Sequence, residues 1–314
     1  FGFDYVTHPH RLTKPMIRRA DAPKHGELAL DPADPWTHFR EASWEEALDV
    51  AAAGLAKAAK KHGNKAIAGF GSAKCTNEEA YLFQKLIRTR FRNNNVDHCT
   101  RLCHASSVVA LLEGIGSGAV SNQVNDVENG EVIFLIGANP TSTHPVAATW
   151  MKNAARRGAK LIYADPRRGE LARHAWRMLQ FKPDTDVALL NAMIHTIIDE
   201  GLVNEAFVKD RTSGYEALKE NAKNFSPEKM ASICGIPAGT IREVARAFAT
   251  SRSSMILWGM GISQHVHGTD NARCLNALCL MTGQIGKPGS GLHPLRGQNN
   301  VQGASDSGLI PMVF

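Results

Sequence analysis

The sequence predicts an α/β protein of two αβα sandwich domains with mostly parallel sheets. Two observations carry that expectation. From residue 132 onward, short apolar runs alternate with longer stretches of helical period. A chain of 314 residues is also long for one hydrophobic core and comfortable for two. Strands separated by helices require right-handed crossovers, which build a parallel sheet covered on both faces.

Residues 1–42 are rich in Pro, His and charge and read as an irregular lead-in. Ser43 and Glu46 form a capping box. Ala47, Leu48, Ala51, Leu55 and Ala58 recur at helical spacing, and Gly63 stops that helix. Ala66 to Phe70 reads as a strand and Asn77 to Phe91 as a helix. Val132 to Ile136 is then a buried strand, Val146 to Arg157 a helix ended before Gly158, Lys160 to Ala164 a second strand and Met178 to Phe181 a third. Val187 to Glu200 is a strongly apolar helix, followed by helices over Ser226 to Cys234 and Thr240 to Thr250. Met255 to Trp258 is a fourth strand and Asn271 to Thr282 another helix.

Ligands in such sheets sit at the carboxyl ends of the strands. The four strands run into Gly137 to His144, Asp165 to Arg168, Lys182 to Asp186 and Gly259 to Gln264. One loop of small and polar residues is ordinary turn chemistry; four on one edge point to a ligand cradle. The phosphate fingerprint G-x-G-x-x-G is missing, which disfavours an ordinary NAD site.

Composition narrows the class. Hydrophobic residues make up 43% and charged residues 21%, as in an ordinary globular protein. No apolar run reaches the roughly 18 residues that cross a bilayer, and no signal-like segment opens the chain. It begins at Phe1 without a Met and is expected to be a piece of something longer. The formal charge is +6, but pairs such as Arg18-Arg19 and Arg167-Arg168 do not merge into a nucleic-acid-binding tract. Solvated helix ends account for most of them, and a phosphate-bearing cofactor would suit the sign. Six cysteines are too sparse for a disulfide scaffold, so a reducing, cytoplasmic setting is expected.

Two clusters carry chemistry. Cys103 is followed by His104 and by Ser106 and Ser107, which are able to cap a helix. A lone Cys is usually a small buried hydrophobe. Near a helix N-terminus, however, a thiol has a lowered pKa and more thiolate, the form that ligates soft metals. The neighbouring histidine can donate, accept or relay a proton near neutral pH. The pair is then either a thiolate nucleophile with its base or a metal ligand with a proton relay, while Cys99 reads as structural. The second cluster, Leu295 to Gly303, sets Arg296 among amides and glycines, an arrangement suited to bidentate capture of a carboxylate. The plainer reading is a polar surface loop, yet nothing in it is Lys or Glu.

These clusters carry a resemblance. N-V-D-H-C-T-R-L-C-H at Asn95 to His104 resembles the metal-binding stretch of bacterial formate dehydrogenases of the molybdopterin oxidoreductase family. So do G-A-N-P at Gly137 to Pro140, D-P-R at Asp165 to Arg167, W-G-M-G-x-x-Q at Trp258 to Gln264 and L-R-G-Q-N-N-V-Q-G-A at Leu295 to Ala304. The resemblance implies a bis-molybdopterin guanine dinucleotide cofactor holding molybdenum or tungsten. Cys103 matches the metal ligand, His104 the residue placed to move a proton, and Arg296 the arginine that orients formate. Asp165 and Arg167 fall where the family binds a guanine dinucleotide arm, with Gly137, Asn139, Thr143, His144, Pro183 and Asp186 nearby. Met260 and Gln264 match positions close to the metal, and Lys74 and Thr76 a loop near the other pterin. Pro166, Gly259 and Gly297 complete the implied cofactor-binding set.

The implied organisation is Rossmann-like, with the first domain incomplete. After the lead-in, residues 43–106 would be the first part of an αβα domain carrying the metal-ligand loop. Residues 107–295 would form a second domain binding the dinucleotide arm, and 296–314 would return into the first. Partners would be formate or carbon dioxide and electron-transfer subunits or domains carrying iron–sulfur or flavin groups. Family members normally open with an iron–sulfur segment, so a [4Fe-4S] cluster is expected only in the full-length protein. The piece alone is expected to lack the electron exit and to be inactive. Other readings are a relative such as a nitrate reductase, which would be expected to lack the His after its Cys, a metal-free scaffold subunit of the same fold, and a thiol hydrolase built on Cys103 and His104.

Overall fold

The computed structural model describes residues 2–22 and 34–311. Contacts gather the chain into two compact units, one of residues up to 69 with 82–96 and one of 70–81 with 97 onward. Segments 70–81, 97–106 and 296–311 therefore share their contacts with residues 107–295.

In the smaller unit the lead-in is not wholly irregular. Strand β1 (Met16–Arg18) pairs antiparallel with β2 (Phe39–Glu41), Met16 opposite Glu41; residues 1 and 23–33 lie outside the described residues. A helix spans Trp44–His62. Its capping box is half formed: the Glu46 amide donates to Ser43 Oγ at 3.1 Å, but the Glu46 carboxylate takes Arg40 rather than turning back. Gly63, at φ +83°, ends the helix. The apolar stripe expected to face a core stays open, with Leu48 61% and Leu55 41% exposed. The strand expected at 66–70 is a 3-10 turn over Asn64–Ala66 followed by β3 (Gly69–Gly71). The side chains of Asn93 and Asn95 donate to the carbonyls of Asn64, Lys65 and Ile67, so this backbone is satisfied without a ladder. The helix Asn77–Lys85 runs on as a π-turn over Leu86–Arg90, and β4 is Val96–His98.

The larger unit is built on one five-stranded parallel sheet. Its strands are β5 (Val132–Ile136), β6 (Lys160–Ala164), β7 (Arg177–Leu179), β8 (Ser254–Trp258) and β9 (Gly291–Pro294), in the order β7-β6-β5-β8-β9. Ile136 lies opposite Ala164 on one side and Trp258 on the other. Side chains alternate faces along β5, as the period of two demands. Val132, Phe134 and Ile136 pack with Leu189, Ile241 and Leu275, from the helices Asp186–Asp199, Ala238–Thr250 and Gly268–Thr282. Ile133 and Leu135 pack with Ala147 and Met151, from the helix Pro145–Arg156. Phe134 meets Phe248 edge to face at 6.4 Å.

The α/β class and the parallel sheet are as expected; outside that sheet the described strands form only two-stranded ribbons. Besides β1, β2 and β4, further elements were not anticipated. Strand β9 reads Gly-Leu-His-Pro, where Gly and Pro mask the pattern. The helices Glu205–Arg211 and Tyr215–Ala222 are too short for a strong period. Among the described residues no helix is long and apolar enough to cross a membrane.

Removing the Phe134 ring from the middle of the sheet leaves a cavity that rigid neighbours cannot fill. Phe134→Ala is expected to cost about 3–5 kcal/mol by chemical denaturation. A double-mutant cycle with Phe248→Ala should show about 0.5–1.5 kcal/mol of coupling from the ring pair.

Candidate active site

Strand order reverses between β5 and β8: the chain leaves β5 for β6 and leaves β8 for β9, on opposite sides. A crevice opens at such a switch point. Gly137 after β5 and Gly261 after β8 meet there, the Gly261 amide donating to the Gly137 carbonyl at 3.0 Å. A Cβ on Gly137 would stand 2.8 Å from the Gly261 carbonyl carbon, and its φ of +59° is left-handed. Glycine is therefore required by both space and conformation.

One cavity of about 370 Å³ occupies this crevice. Gly137, Asn139, Asp165, Pro166, Arg167, Pro183 and Asp186 all line it. All four strand ends thus contribute, because Gly261 and His265 come from the loop after β8. Arg167 and Arg168 face the cavity rather than marking a solvated helix end. The Arg167 amide donates to Asp165 Oδ1 at 2.8 Å, an Asx turn that holds the carboxylate in place. Burial raises the Asp165 pKa, against the Arg167 amide and charge. Asp186 opens the helix Asp186–Asp199; it is 2% exposed and its Oδ1 has no hydrogen-bond partner. Burial pushes its pKa up to about 6. An acidic oxygen left without a donor inside a polar cavity is chemically fitted to a ligand N–H. His265, outside the expected set, binds Asp184 at 3.0 Å across the cavity rim.

Cys103 closes a one-turn helix, Thr100–Cys103, and His104 begins the helix Ala105–Ile115. The serines do not cap that helix: Ser106 Oγ donates to the Ser263 carbonyl at 2.6 Å, and Ser107 Oγ lies 2.5 Å from Ser263 Oγ. The expected lowering of the Cys103 pKa is absent too. Burial raises it, Cys99 adds to the rise, and the charge of Arg296 opposes it. The thiol sits half-buried, 3.5 Å from Met260 Sδ and 3.7 Å from Gln298 Oε1. Gln298 was not picked out from the sequence, although it stands two places after Arg296. Cys99 is structural, its Sγ accepting the Ala73 amide at 3.3 Å. His104 is fully buried, and burial depresses its pKa to about 4, so it is neutral at physiological pH rather than poised near it.

Arg296 reaches the same place. Its Nη1 donates to Gln302 Oε1 at 2.7 Å and its Nη2 to the Gly118 carbonyl, while its buried Nε has no partner. Gln302 in turn donates to both Asp306 oxygens. Apolar cavities of about 220 and 460 Å³ flank the guanidinium. His144 does not line the cavity at the strand ends; its Nε2 donates to the Arg296 carbonyl at 2.7 Å, and Thr143 lies 2.9 Å from its Nδ1.

Thr76 caps a helix by reciprocal bonds with Glu79, and exposed Lys74 sits in the loop that Asn300 holds through Ala73 and Cys75. Gln264 donates to the Leu102 carbonyl at 2.8 Å, pinning the segment before Cys103. A Cβ on Gly259 would meet the Gly137 carbonyl at 2.9 Å, whereas one on Gly297 would meet open space.

Residues 11–311 match the family model described as molybdopterin oxidoreductase. The chain belongs to the molybdopterin oxidoreductase family. Within that family it is 41% identical over 311 residues to a formate dehydrogenase alpha subunit of Methanococcus maripaludis, covering 99% of this chain and 43% of that relative. It is 41% identical over 319 residues to formate dehydrogenase H of Escherichia coli, covering 100% of this chain and 43% of that one. The chain thus spans less than half the length of these curated relatives. Among solved structures, acetylene hydratase from Pelobacter acetylenicus matches with a TM-score of 0.80 at 25% identity, over 92% of this chain and 38% of that one. A fold that serves both names makes the site, not the fold, the carrier of function.

The Asp186 carboxyl supplies a pH test. Its pKa rises from 3.8 in the unfolded chain to about 6 in the folded one, so its contribution to stability is fully present below pH 3.8 and is lost as pH rises through 6. Without ligand, wild-type stability should fall between about pH 4 and about pH 6. Asp186→Asn should flatten that slope and be the more stable at the upper end, as read by urea midpoints.

Proposed function

We propose that this chain is the central section of the catalytic subunit of a molybdenum- or tungsten-dependent formate dehydrogenase, interconverting formate and carbon dioxide. The observation that carries the reading is the meeting of Cys103 with the Arg296 segment, far apart in sequence: Gln298 Oε1 lies 3.7 Å from the thiol, and the Arg296 charge acts on it. The residues present fit a bis-molybdopterin guanine dinucleotide: a half-buried thiol with soft Met260 beside it, a glycine-lined crevice, and an unpartnered buried carboxylate oxygen.

Cys103 would ligate the metal through sulfur. Asp186, Asp165 and Arg167 would hold the dinucleotide arm, the carboxylates accepting from the guanine edge and the guanidinium meeting phosphate. Lys74, Thr76, Met260, Gln264 and Gly297 would lie along the rest of the cofactor. The bound metal supplies the sink for two electrons. Arg296 anchors the formate carboxylate with its remaining N–H groups, held in place by Gln302 and the Gly118 carbonyl. The apolar lining of the flanking cavities would lower the local polarity and strengthen that ion pair. His104 takes the proton. In the full-length enzyme a [4Fe-4S] cluster and iron–sulfur or flavin partners would carry the electrons away. The open stripe on Trp44–His62 fits a first αβα domain completed by further segments, and six free thiols fit a cytoplasmic setting.

Formate-dependent dye reduction by the full-length enzyme tests the reading. Cys103→Ala should abolish turnover and lower the molybdenum or tungsten content. Arg296→Lys should raise KM for formate roughly 10- to 100-fold, as the loss of a charge-assisted pair of about 1.5–3 kcal/mol predicts. Normal turnover in the first variant, or unchanged KM in the second, removes the assigned role. A full-length protein with neither metal would be a scaffold.

A further inference from the structure

Which nitrogen of His104 carries the ring hydrogen decides where this side chain can accept a proton. A buried chain of hydrogen bonds answers this. His104 Nε2 lies 3.2 Å from the Leu295 carbonyl, and Nδ1 lies 3.2 Å from Ser263 Oγ. Ser263 Oγ is 2.5 Å from Ser107 Oγ, and Trp258 Nε1 is 2.8 Å from Ser107 Oγ. All four side chains are buried.

The two ends fix the direction of every bond between them. A carbonyl oxygen only accepts and an indole N–H only donates. Leu295 therefore requires the hydrogen on Nε2. Followed from the donor-only Trp258 end, each hydroxyl passes its single hydrogen along the chain, so Nδ1 is bare and accepts the Ser263 hydroxyl hydrogen. Ser263 has one hydrogen and has used it, so Ser107 donates to Ser263. Ser107 in turn accepts from Trp258. Only one arrangement satisfies each of these groups, and no buried donor is wasted.

The surrounding structure holds the chain in place. The Ser106 hydroxyl ties down the Ser263 backbone, and Gly268 leaves the room this needs: a Cβ there would stand 2.2 Å from the Ser263 carbonyl oxygen. Trp258 ends β8, so the direction of the relay is set from the rigid sheet itself.

We propose that Trp258, Ser107 and Ser263 are positioning residues that lock His104 as its Nε2-protonated tautomer and fix the plane of its ring beside Cys103. The role in turnover rests on the formate reading; the tautomer does not. Two measurements keep the two apart.

The first is 15N NMR of the full-length protein labelled at histidine, with His104 assigned by its loss in His104→Gln. Wild type should show a protonated Nε2 and a hydrogen-bonded, unprotonated Nδ1. Ser263→Ala should move the Nδ1 resonance to that of a free acceptor or exchange the tautomer, and Ser263→Thr, which keeps the hydroxyl, should restore it. A wild-type Nδ1 that carries the hydrogen overturns the proposal whether or not any variant folds. So do ring resonances unmoved by Ser263→Ala.

The second is steady-state kinetics with formate. Ser263→Ala and Ser107→Ala should each lower kcat roughly 10- to 100-fold with KM little changed, and Ser263→Thr should recover most of it. Equal losses in Ser263→Ala and Ser263→Thr would reduce the serine to packing and overturn the proposal. If wild type fails to turn over formate while its spectrum shows the stated tautomer, the proposed function falls and the relay stands.

Discussion

Gly137 and Gly261 lie backbone against backbone at the carboxyl ends of β5 and β8, and the rest of the site is arranged around that contact. Two parallel strands whose connections depart in opposite directions leave a gap at their ends. Here the gap is kept narrow by a direct amide-to-carbonyl bond, which any side chain would break. The consequence is geometric: the loops after β6 and β7 are brought to face one cavity, and the loop after β8 is turned so that Met260 meets Cys103.

The site also departs from the rule that buried polar groups are paired. Asp186 Oδ1 and Arg296 Nε are both buried without partners, one beside the cavity at the strand ends and one beside the thiol. Each costs stability, and neither is explained by the packing of the fold. The two groups, of opposite sign and at separate cavities, suit a donor at Asp186 and an anion at Arg296. Cofactor binding would recover what folding leaves unpaired, linking occupancy to stability.

Much of this could be read from the sequence, for identifiable reasons. The strands β5, β6 and β8 are continuous apolar runs because both faces are covered, and such runs announce themselves. The cavity residues Asp165, Arg167 and Pro183 were legible because a parallel sheet puts its loops on one edge. What escaped notice was tertiary. Ser106 and Ser107 look like helix caps, yet their hydroxyls go to Ser263, more than 150 residues away. His144 looks like a cavity residue, yet it holds the Arg296 main chain. Gln298 is one amide among several until the fold brings it to Cys103. The thiol pKa was read with the wrong sign because helix ends are local signals, whereas burial is decided by the whole chain.

The open face of the helix Trp44–His62 has a practical bearing. Trp44, Leu48 and Leu55 lie along one side of it, exposed to water. Such a surface seeks apolar company. Produced by itself in a crowded host, the polypeptide would be drawn toward chaperones or inclusion bodies.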